Sequence, residues 1–453
     1  MARVARLHAR EHRVKPIVED VRTADLGRLR ALPREELTQL LDALSPAELA
    51  ALFDRLGDEA LAELLAELDA YDAARLIRRL SHAQAADLLE EMAPDDAADV
   101  VEELRPDEAR AILTAMEPAE AQDVRELLAH PRQSAGSVMT PDYVALSPDL
   151  TAEEAIARLR QVAEEAETIY YIYVTDPATN RLLGVLSLRN LVLSRPDTPI
   201  RELMITPVIK VRVDADQEEA ARLLDQYHLI ALPVVDAEDR LLGIITADDA
   251  ADVLLEEAGE DIERLGGSQP LEEPYLRASI LHLFRKRIGW LLVLFVAEAY
   301  TGTVLRHFED TLSEAIALAF FIPLLIGTGG NVGSQTVTTL VRALAVGEVE
   351  FRDWLRVLGR ELAVASLLGA VMALATYIRS WTLGVGLEVG PVVAVTALCV
   401  VLWAATVAAV LPLILHKLRI DPAVVSALFI TTLVDGTGLF MYFTIARVML
   451  HLD

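Results

Sequence analysis

Cysteine is nearly absent. Cys399 is the only one in 453 residues, which excludes an internal disulfide framework and a cysteine-ligated zinc or iron–sulfur site. Bases are scarce beside acids: 41 Lys and Arg against 69 Asp and Glu leave a net charge of −28, the wrong sign for a protein that grips nucleic-acid phosphates. No nucleophile–base pair, P-loop or catalytic-metal spacing appears, so an enzyme is not expected. No basic segment followed by a short apolar core opens the chain, so no signal peptide is expected. At roughly 150 residues per domain, the length predicts about three units.

The shortage of bases is local. Residues 1–270 hold 55 of the acids and 28 of the bases, a net of −27, whereas residues 271–453 come to −1. The long apolar runs lie almost entirely in the second part. The chain therefore divides into an acidic soluble module and a membrane domain.

Five apolar stretches follow Arg287: Ile288–Leu305, Ala315–Val346 with a polar interruption, Leu362–Ile378, Val389–Leu415 and Pro422–Met449. Each reaches the roughly 20 residues a spanning helix needs once flanking turns are counted. Arg285, Lys286 and Arg287 precede the first. Arg342, Arg352, Arg356 and Arg360 lie between the second and third, and His416, Lys417 and Arg419 between the fourth and fifth. The alternate loops are poorer in positive charge. The positive-inside rule therefore places the acidic half in the cytoplasm of a multi-pass protein of the cytoplasmic membrane, with the C-terminus outside.

Two features inside the spans are foreign to a passive anchor. Gly327-Thr328-Gly329-Gly330-Asn331-Val332-Gly333-Ser334-Gln335 sits within the second. Four glycines in seven residues are expected to unwind the helix, with close helix packing as the alternative. Asp435 sits about halfway along the fifth, where a carboxylate marks a pathway or counter-ion site. No span has a central Lys or Arg to pair with it. A carboxylate with free carbonyls and Asn331, and no His or Cys beside them, makes a hard oxygen site suited to Mg²⁺, Ca²⁺ or Mn²⁺. Five helices enclose a pore poorly; a homodimer with one Asp435 per chain on the two-fold axis would supply both wall and charge. Glu298, in the first span, is open between the pore, a dimer interface and the membrane surface.

The acidic half carries two repeats. Residues 32–127 repeat every 12 positions, with units starting at Leu32, Leu44, Leu56, Leu68, Leu80, Met92, Leu104 and Met116. Pro in the first turn, an acid after it and a paired apolar end describe short capped helices stacked in a small right-handed solenoid. A second period of about 60 aligns Leu182-Leu183-Gly184-Val185-Leu186-Ser187 with Leu241-Leu242-Gly243-Ile244-Ile245-Thr246, and Met139-Thr140-Pro141 with Met204-Ile205-Thr206-Pro207. Each unit reads strand, helix, strand, turn, strand, helix, and the tandem resembles a pair of CBS domains, which often bind adenine nucleotides. The segment from Asp248 to Leu265 then carries eight acids before its first base, Arg264. Asp249, Asp252, Glu256 and Glu260 fall on one helical stripe, where like charges repel unless cations neutralise them.

Taken together, the acidic repeat, the CBS-like pair, the acidic connector, five spans, Gly-Thr-Gly-Gly-Asn at 327–331, Asp421-Pro422-Ala423 and Asp435-Gly436-Thr437-Gly438 resemble the MgtE family of magnesium channels, over nearly all of residues 30–450. The resemblance implies a dimer with a Mg²⁺-selective pore in which Asp435 holds hydrated Mg²⁺ and the Thr431 carbonyl faces the ion, with Asn331 and Asp421 among the pore residues. It implies regulatory Mg²⁺ ions bridging Glu63, Asp95 and Asp99 of the repeat, Asp216 and Glu218 of the second CBS-like unit, and Asp249, Asp252, Glu257, Glu260 and Asp261 of the connector. It also implies ATP in the CBS cleft, with Tyr171 against adenine. Three positions depart from the family pattern. His228 and Asn190 replace carboxylates, the latter at the ribose position, and Ala427 replaces an Asn near the pore mouth.

The expected fold class is thus multi-domain. An N-terminal extension (1–31) precedes an all-α helical-repeat domain (32–130), an α/β tandem CBS pair (131–200 and 201–247), an acidic connecting helix (248–270) and a five-helix α transmembrane domain (271–453). The expected function is a Mg²⁺ channel closed by intracellular Mg²⁺. Its rivals are a proton- or sodium-coupled transporter of another divalent cation such as Mn²⁺ or Co²⁺, and a nucleotide-sensing membrane receptor without transport.

Overall fold

The structure, a computed structural model, describes residues 29, 32–45, 48–49, 52, 55–163, 166–385, 388–418 and 427–452. The chain forms two compact units that divide between Leu255 and Glu256.

The first unit opens with short helices: α1 (Arg34–Ala43), α2 (Asp58–Ala66), α3 (Ala70–Ile77), α4 (His82–Glu90), α5 (Pro94–Glu102), α6 (Pro106–Ala115) and α7 (Pro118–Leu128). From α2 onward each begins 12 residues after the last, as the repeat requires. The proline at the first position of α5, α6 and α7 has no N–H to leave unsatisfied there. At α4, Ser81 and Gln84 form a capping box that closes two orphan donors. The paired apolar ends Leu64/Leu65, Leu76/Ile77, Leu88/Leu89 and Val100/Val101 are all buried. Each helix packs chiefly on the one two places along, so alternate helices stack in two files over one shared core.

Two sheets of identical topology follow. β1 (Ala145–Leu146), α8 (Ala152–Val162), β2 (Tyr171–Thr175), β3 (Leu182–Ser187), α9 (Leu188–Leu193) and α10 (Ile200–Leu203) are matched by β4 (Val211–Arg212), α11 (Gln217–Tyr227), β5 (Ala231–Val235), β6 (Leu241–Thr246) and the start of α12 (Ala247–Leu265). In each sheet the first strand runs parallel to the second and the second antiparallel to the third, with a bulge at the equivalent place. The two copies interlock. Thr140 and Ile244 exchange backbone hydrogen bonds, as do Val185 and Ile205. The Met-Thr-Pro and Met-Ile-Thr-Pro segments thereby each lie over a hairpin glycine: a Cβ on Gly184 would stand 2.7 Å from Met204 Sδ, and one on Gly243 2.7 Å from the Thr140 carbonyl. That close approach is why both repeats keep Leu-Leu-Gly.

The second unit contains five helices long and apolar enough to cross a membrane, within Ile280–His307, Ile316–Ala345, Phe351–Leu383, Val389–Lys417 and Ala427–Leu450. They comprise α13 (Ile280–His307), then, after the short α14 (Glu309–Glu314), α15 (Ile322–Ala345), α16 (Trp354–Leu383), α17 (Val389–Lys417) and α18 (Ala427–Leu450). The first and third are longer than their apolar runs by two turns or more. α15, α17 and α18 form the packed centre, whereas α13 and α16 turn Phe295, Val296, Leu367 and Val371 outward.

The expected unwinding at the glycine stretch does not occur: α15 is continuous from Ile322 to Ala345. Three of the four glycines serve packing instead, Gly327 having open space around it. A Cβ on Gly329 would lie 2.6 Å from Val400 Cγ1 and 2.8 Å from Val434 Cγ1. On Gly330 it would meet Thr431 Cγ2 at 2.8 Å, and on Gly333 Ile430 Cγ2 at 2.7 Å. Keeping the helix satisfies every internal backbone group at membrane depth, and the missing side chains let α17 and α18 close on α15.

Candidate cation sites

Asp435 lies eight residues into α18, about 12 Å along its axis. Its Oδ1 is buried and has no hydrogen-bond partner. Its neighbourhood is set by close helix contacts. On one side Gly436 meets α13, where an added Cβ would lie 2.4 Å from Tyr300 Cδ1 and 3.1 Å from Thr301 Oγ1. On another, Trp403 Nε1 of α17 donates to Thr437 Oγ1 at 2.8 Å. Glu298, also on α13, is the like charge that Asp435 feels.

Thr431 sits one turn before Asp435 within continuous helix. Its hydroxyl donates to the Ala427 carbonyl at 2.9 Å and stands 3.4 Å from Ser334 Oγ of α15. Asn331 is exposed on α15. With Gln335, Thr338 and Arg342 it forms an exposed stripe on α15, at positions i, i+4, i+7 and i+11. Asp421 lies outside the described residues. One intramembrane carboxylate escaped the sequence reading: Glu361 of α16, which accepts a hydrogen bond from Thr336 Oγ1 at 3.2 Å.

The first unit holds a second acidic surround. Asp95 and Asp96 at the start of α5 face Asp248 and Asp249 at the start of α12, with Glu167 beside them. Asp95 Oδ1 is buried without a hydrogen-bond partner. Burial, then the charges of Asp249 and Asp96, hold its carboxyl well above the usual range. Asp96 is pushed up to about 7, by burial first and then by Asp249 and Glu167. Burial also raises Asp249, against a hydrogen bond from Thr246, whose Oγ1 lies 2.5 Å from both Asp248 Oδ1 and Asp249 Oδ2. Asp96, Glu167 and Asp248 stand outside the expected regulatory set; Asp96 adjoins Asp95 and Asp248 adjoins Asp249, both of which are in it. Among the described residues no three His, Cys, Asp or Glu come close enough to hold a bare metal ion. These are carboxylates held near one another, not a finished cage.

The other expected regulatory acids are spread out. Glu63 and Asp99 lie on exposed faces of α2 and α5. Asp216 caps α11, accepting from the Glu218 amide at 2.8 Å, and Glu218 pairs with Arg222. Asp252 is met by Arg34 at 3.5 Å, a base that also reaches Asp69 at 3.0 Å. In the second unit, Glu257, Glu260 and Asp261 are half-buried on the last turns of α12. Burial raises Glu260, opposed by Arg264 at 2.5 Å and aided by Glu257, Glu256 and Asp261. The acidic stripe is therefore partly neutralised from within, by Arg34 and Arg264.

Tyr171 opens β2 and is half-buried, while Asn190 is exposed on α9, its backbone N–H donating to Ser187 Oγ at 3.2 Å. Asn190 offers one acceptor oxygen where a carboxylate would take both ribose hydroxyls, so the residues present fit a nucleotide incompletely.

The raised carboxyls carry a pH prediction. Between 3.8, the ordinary Asp value, and about 7, folded Asp96 keeps a proton that the unfolded chain has lost. Stability of the metal-free protein should therefore fall as pH rises through that window, by roughly 4 kcal/mol at most for Asp96. Thermal unfolding of the full chain in detergent and chelator, from pH 5 to 8, should show that fall, and Mg²⁺ at pH 8 should reverse it. A flat profile would contradict the desolvated acidic surround.

A carboxylate at depth among five spans, joined to a large acidic module with a CBS pair, defines a multi-span membrane protein for cations. The chain belongs to the MgtE family. Residues 322–445 match the family described as divalent cation transporter, 32–133 the MgtE intracellular N domain, and 135–196 and 200–256 the CBS domain. The chain is 44% identical over 329 residues to the magnesium transporter MgtE of Thermus thermophilus, covering 73% of each chain. It is 36% identical over 328 residues to that of Bacillus subtilis, covering 72% of each. A crystal structure of the soluble part of a magnesium transporter covers 55% of this chain and 99% of its own, at 32% identity and a TM-score of 0.49. The cytosolic domain of the Mg²⁺ channel MgtE in complex with ATP covers 50% of this chain and 97% of its own, at 38% identity and a TM-score of 0.37.

Proposed function

We propose that the protein is a Mg²⁺ channel of the cytoplasmic membrane, working as a homodimer and closed by intracellular Mg²⁺. The observation that carries this reading is the buried, unbonded Oδ1 of Asp435 in a span with no central base to pair with it. A carboxylate so placed calls for a cation. One carboxylate per chain cannot strip Mg²⁺ of its water, but Mg²⁺ dehydrates reluctantly, and two copies of Asp435 across a two-fold axis suit the hydrated ion. The exposed stripe of Asn331, Gln335 and Thr338 supplies the wet wall such a path needs, and the outward apolar faces of α13 and α16 suit lipid. The relatives named as magnesium transporters support the choice of ion; Mn²⁺ shares its preference for oxygen ligands, and Co²⁺ accepts them.

In this reading residues 32–130, 131–200 and 201–247 are the cytoplasmic sensor, 248–270 the connecting helix, 271–453 the pore domain with the C-terminus outside, and 1–31 an extension. Asp435, Thr431, Asn331 and Asp421 belong to the pore. At low Mg²⁺ the carboxylates repel and the sensor opens. At high Mg²⁺ the ions bridge Glu63, Asp95, Asp99, Asp216, Glu218, Asp249, Asp252, Glu257, Glu260 and Asp261 and draw the connecting helices together. The raised carboxyls around Asp95 support this, because a desolvated acid without a base is stabilised by a cation.

Mg²⁺ uptake into proteoliposomes, at fixed membrane potential and varied internal Mg²⁺, tests the proposal. Flux that follows the electrochemical gradient and falls as internal Mg²⁺ rises is expected. The Glu298 charge beside Asp435 favours a second reading, a proton-coupled carrier; uptake that collapses with an uncoupler at zero membrane potential would establish that instead.

A further inference from the structure

Three carboxylates lie more than one turn inside a spanning helix: Glu298, Glu361 and Asp435. Glu361 is seven residues into α16, about 10 Å along its axis, and Thr336, its partner on α15, is nine residues before that helix ends. The Thr336 hydroxyl, at 3.2 Å, is the only hydrogen-bond donor to Glu361 among the described residues. No Lys or Arg among them pairs with it: Arg356 turns to Asp353 at 3.2 Å, and Arg360 is exposed. A neutral hydroxyl does not offset a carboxylate's charge, and a simple helix clip would be served as well by Gln or Ser.

The surroundings are polar in the same half of the helix pair. Gln335, next to Thr336, and Thr338 and Thr339 are exposed, continuing the stripe that starts at Asn331. Toward the other end the same face of α15 presents Leu324 and Gly327. The polar track thus begins near the middle of the span and runs toward the end of α15 at which Thr336 holds Glu361, with the exposed Thr339 between the stripe and the buried Thr336.

We propose that Glu361 is a second acidic station on the permeation path, between Asp435 and the cytoplasm, which holds a hydrated divalent cation through its water shell. This rests on the channel reading. Thr336 fixes one carboxylate oxygen and leaves the charge to attract the ion.

The test is Mg²⁺ flux against Mg²⁺ concentration in proteoliposomes of the full chain, for wild type, Glu361→Gln and Thr336→Val. Glutamine keeps an acceptor for Thr336 and removes only the charge. It should raise the half-saturating Mg²⁺ concentration about tenfold, the lower end of what a cleft of one sign does to local ion concentration. Thr336→Val, which keeps the charge, should change it less. An unchanged half-saturation in Glu361→Gln would make Glu361 a structural clip and overturn the proposal. Wild-type protein without flux would instead sink the channel reading itself. Should Glu361→Gln fail to fold, Glu361→Cys in a Cys399→Ala background serves, since Cys399 is the chain's only thiol. A sulfonate-bearing methanethiosulfonate should then lower the half-saturating concentration and a trimethylammonium one raise it; equal effects of the two reagents would overturn the proposal.

Discussion

Replacing Asp435 with Ala or Asn should cut Mg²⁺ flux by about two to three decades while leaving the protein folded. Unit charges about 4 Å apart at an effective dielectric near 20 attract by roughly 4 kcal/mol, and each 1.4 kcal/mol is tenfold, so losing this charge should cost about two to three decades of flux. The fold should survive because nothing leans on the carboxylate: its Oδ1 has no hydrogen-bond partner, and the helix contacts nearby are made by Val434, Gly436 and Thr437. Removing an unpaired, desolvated charge should even raise the thermal midpoint in detergent. Flux is read in proteoliposomes at low internal Mg²⁺, beside a melting curve and a size measurement on the same preparation. Substantial flux in Asp435→Ala, with the fold intact, would remove Asp435 from the path. Asn is the sharper variant, since it keeps the shape and one acceptor oxygen and loses only the charge.

Much of the fold was legible in the sequence because it is periodic. The 12-residue spacing fixed the starts of α2 to α7, and the echo of Leu-Leu-Gly and of Met-Thr-Pro in Met-Ile-Thr-Pro gave the two sheets, whereas the role of the glycines in letting one repeat lie across the other emerges only from the structure. Asp435 stood out as a charge in an apolar run. The glycine stretch misled, because glycine's poor helix propensity in water counts for less where every backbone group must be satisfied inside the helix. Glu361 was hidden by position: next to Arg360, at the start of an apolar run, it resembles a loop charge, and only the contact with Thr336 shows that it turns inward. Glu167 and Arg34 were hidden for another reason. Each lies far along the chain from the acids it joins, and no spacing rule links residues that tertiary folding alone brings together.

Replacing Glu257, Glu260 and Asp261 together by their amides should leave flux that no longer depends on internal Mg²⁺. These acids lie within two or three turns of Leu265, which packs on the cluster of Val337 and Val341 from α15 and Ile430 and Val434 from α18. Just beyond, Gly267, at a φ of +73°, is pressed so close to α13 and α18 that a Cβ would lie 2.7 Å from Trp290 Cδ1 and 2.9 Å from Leu428 Cδ1. A displacement of the end of α12 therefore bears directly on the helix that carries Asp435. Carboxylates on two such helices brought to ~4 Å would repel by roughly 4 kcal/mol per pair at an effective dielectric near 20. A gate needs about 5.5 kcal/mol to pass from 1:99 to 99:1, so a few pairs suffice even after screening by salt. The amides remove the repulsion and the Mg²⁺ bridges at once, so the diagnostic quantity is the slope of flux against internal Mg²⁺, not its level. Wild type should show a steep fall and the triple variant a flat line. An undiminished slope in the variant would place the sensing elsewhere, with Asp95, Asp96 and Asp249 the next residues to neutralise.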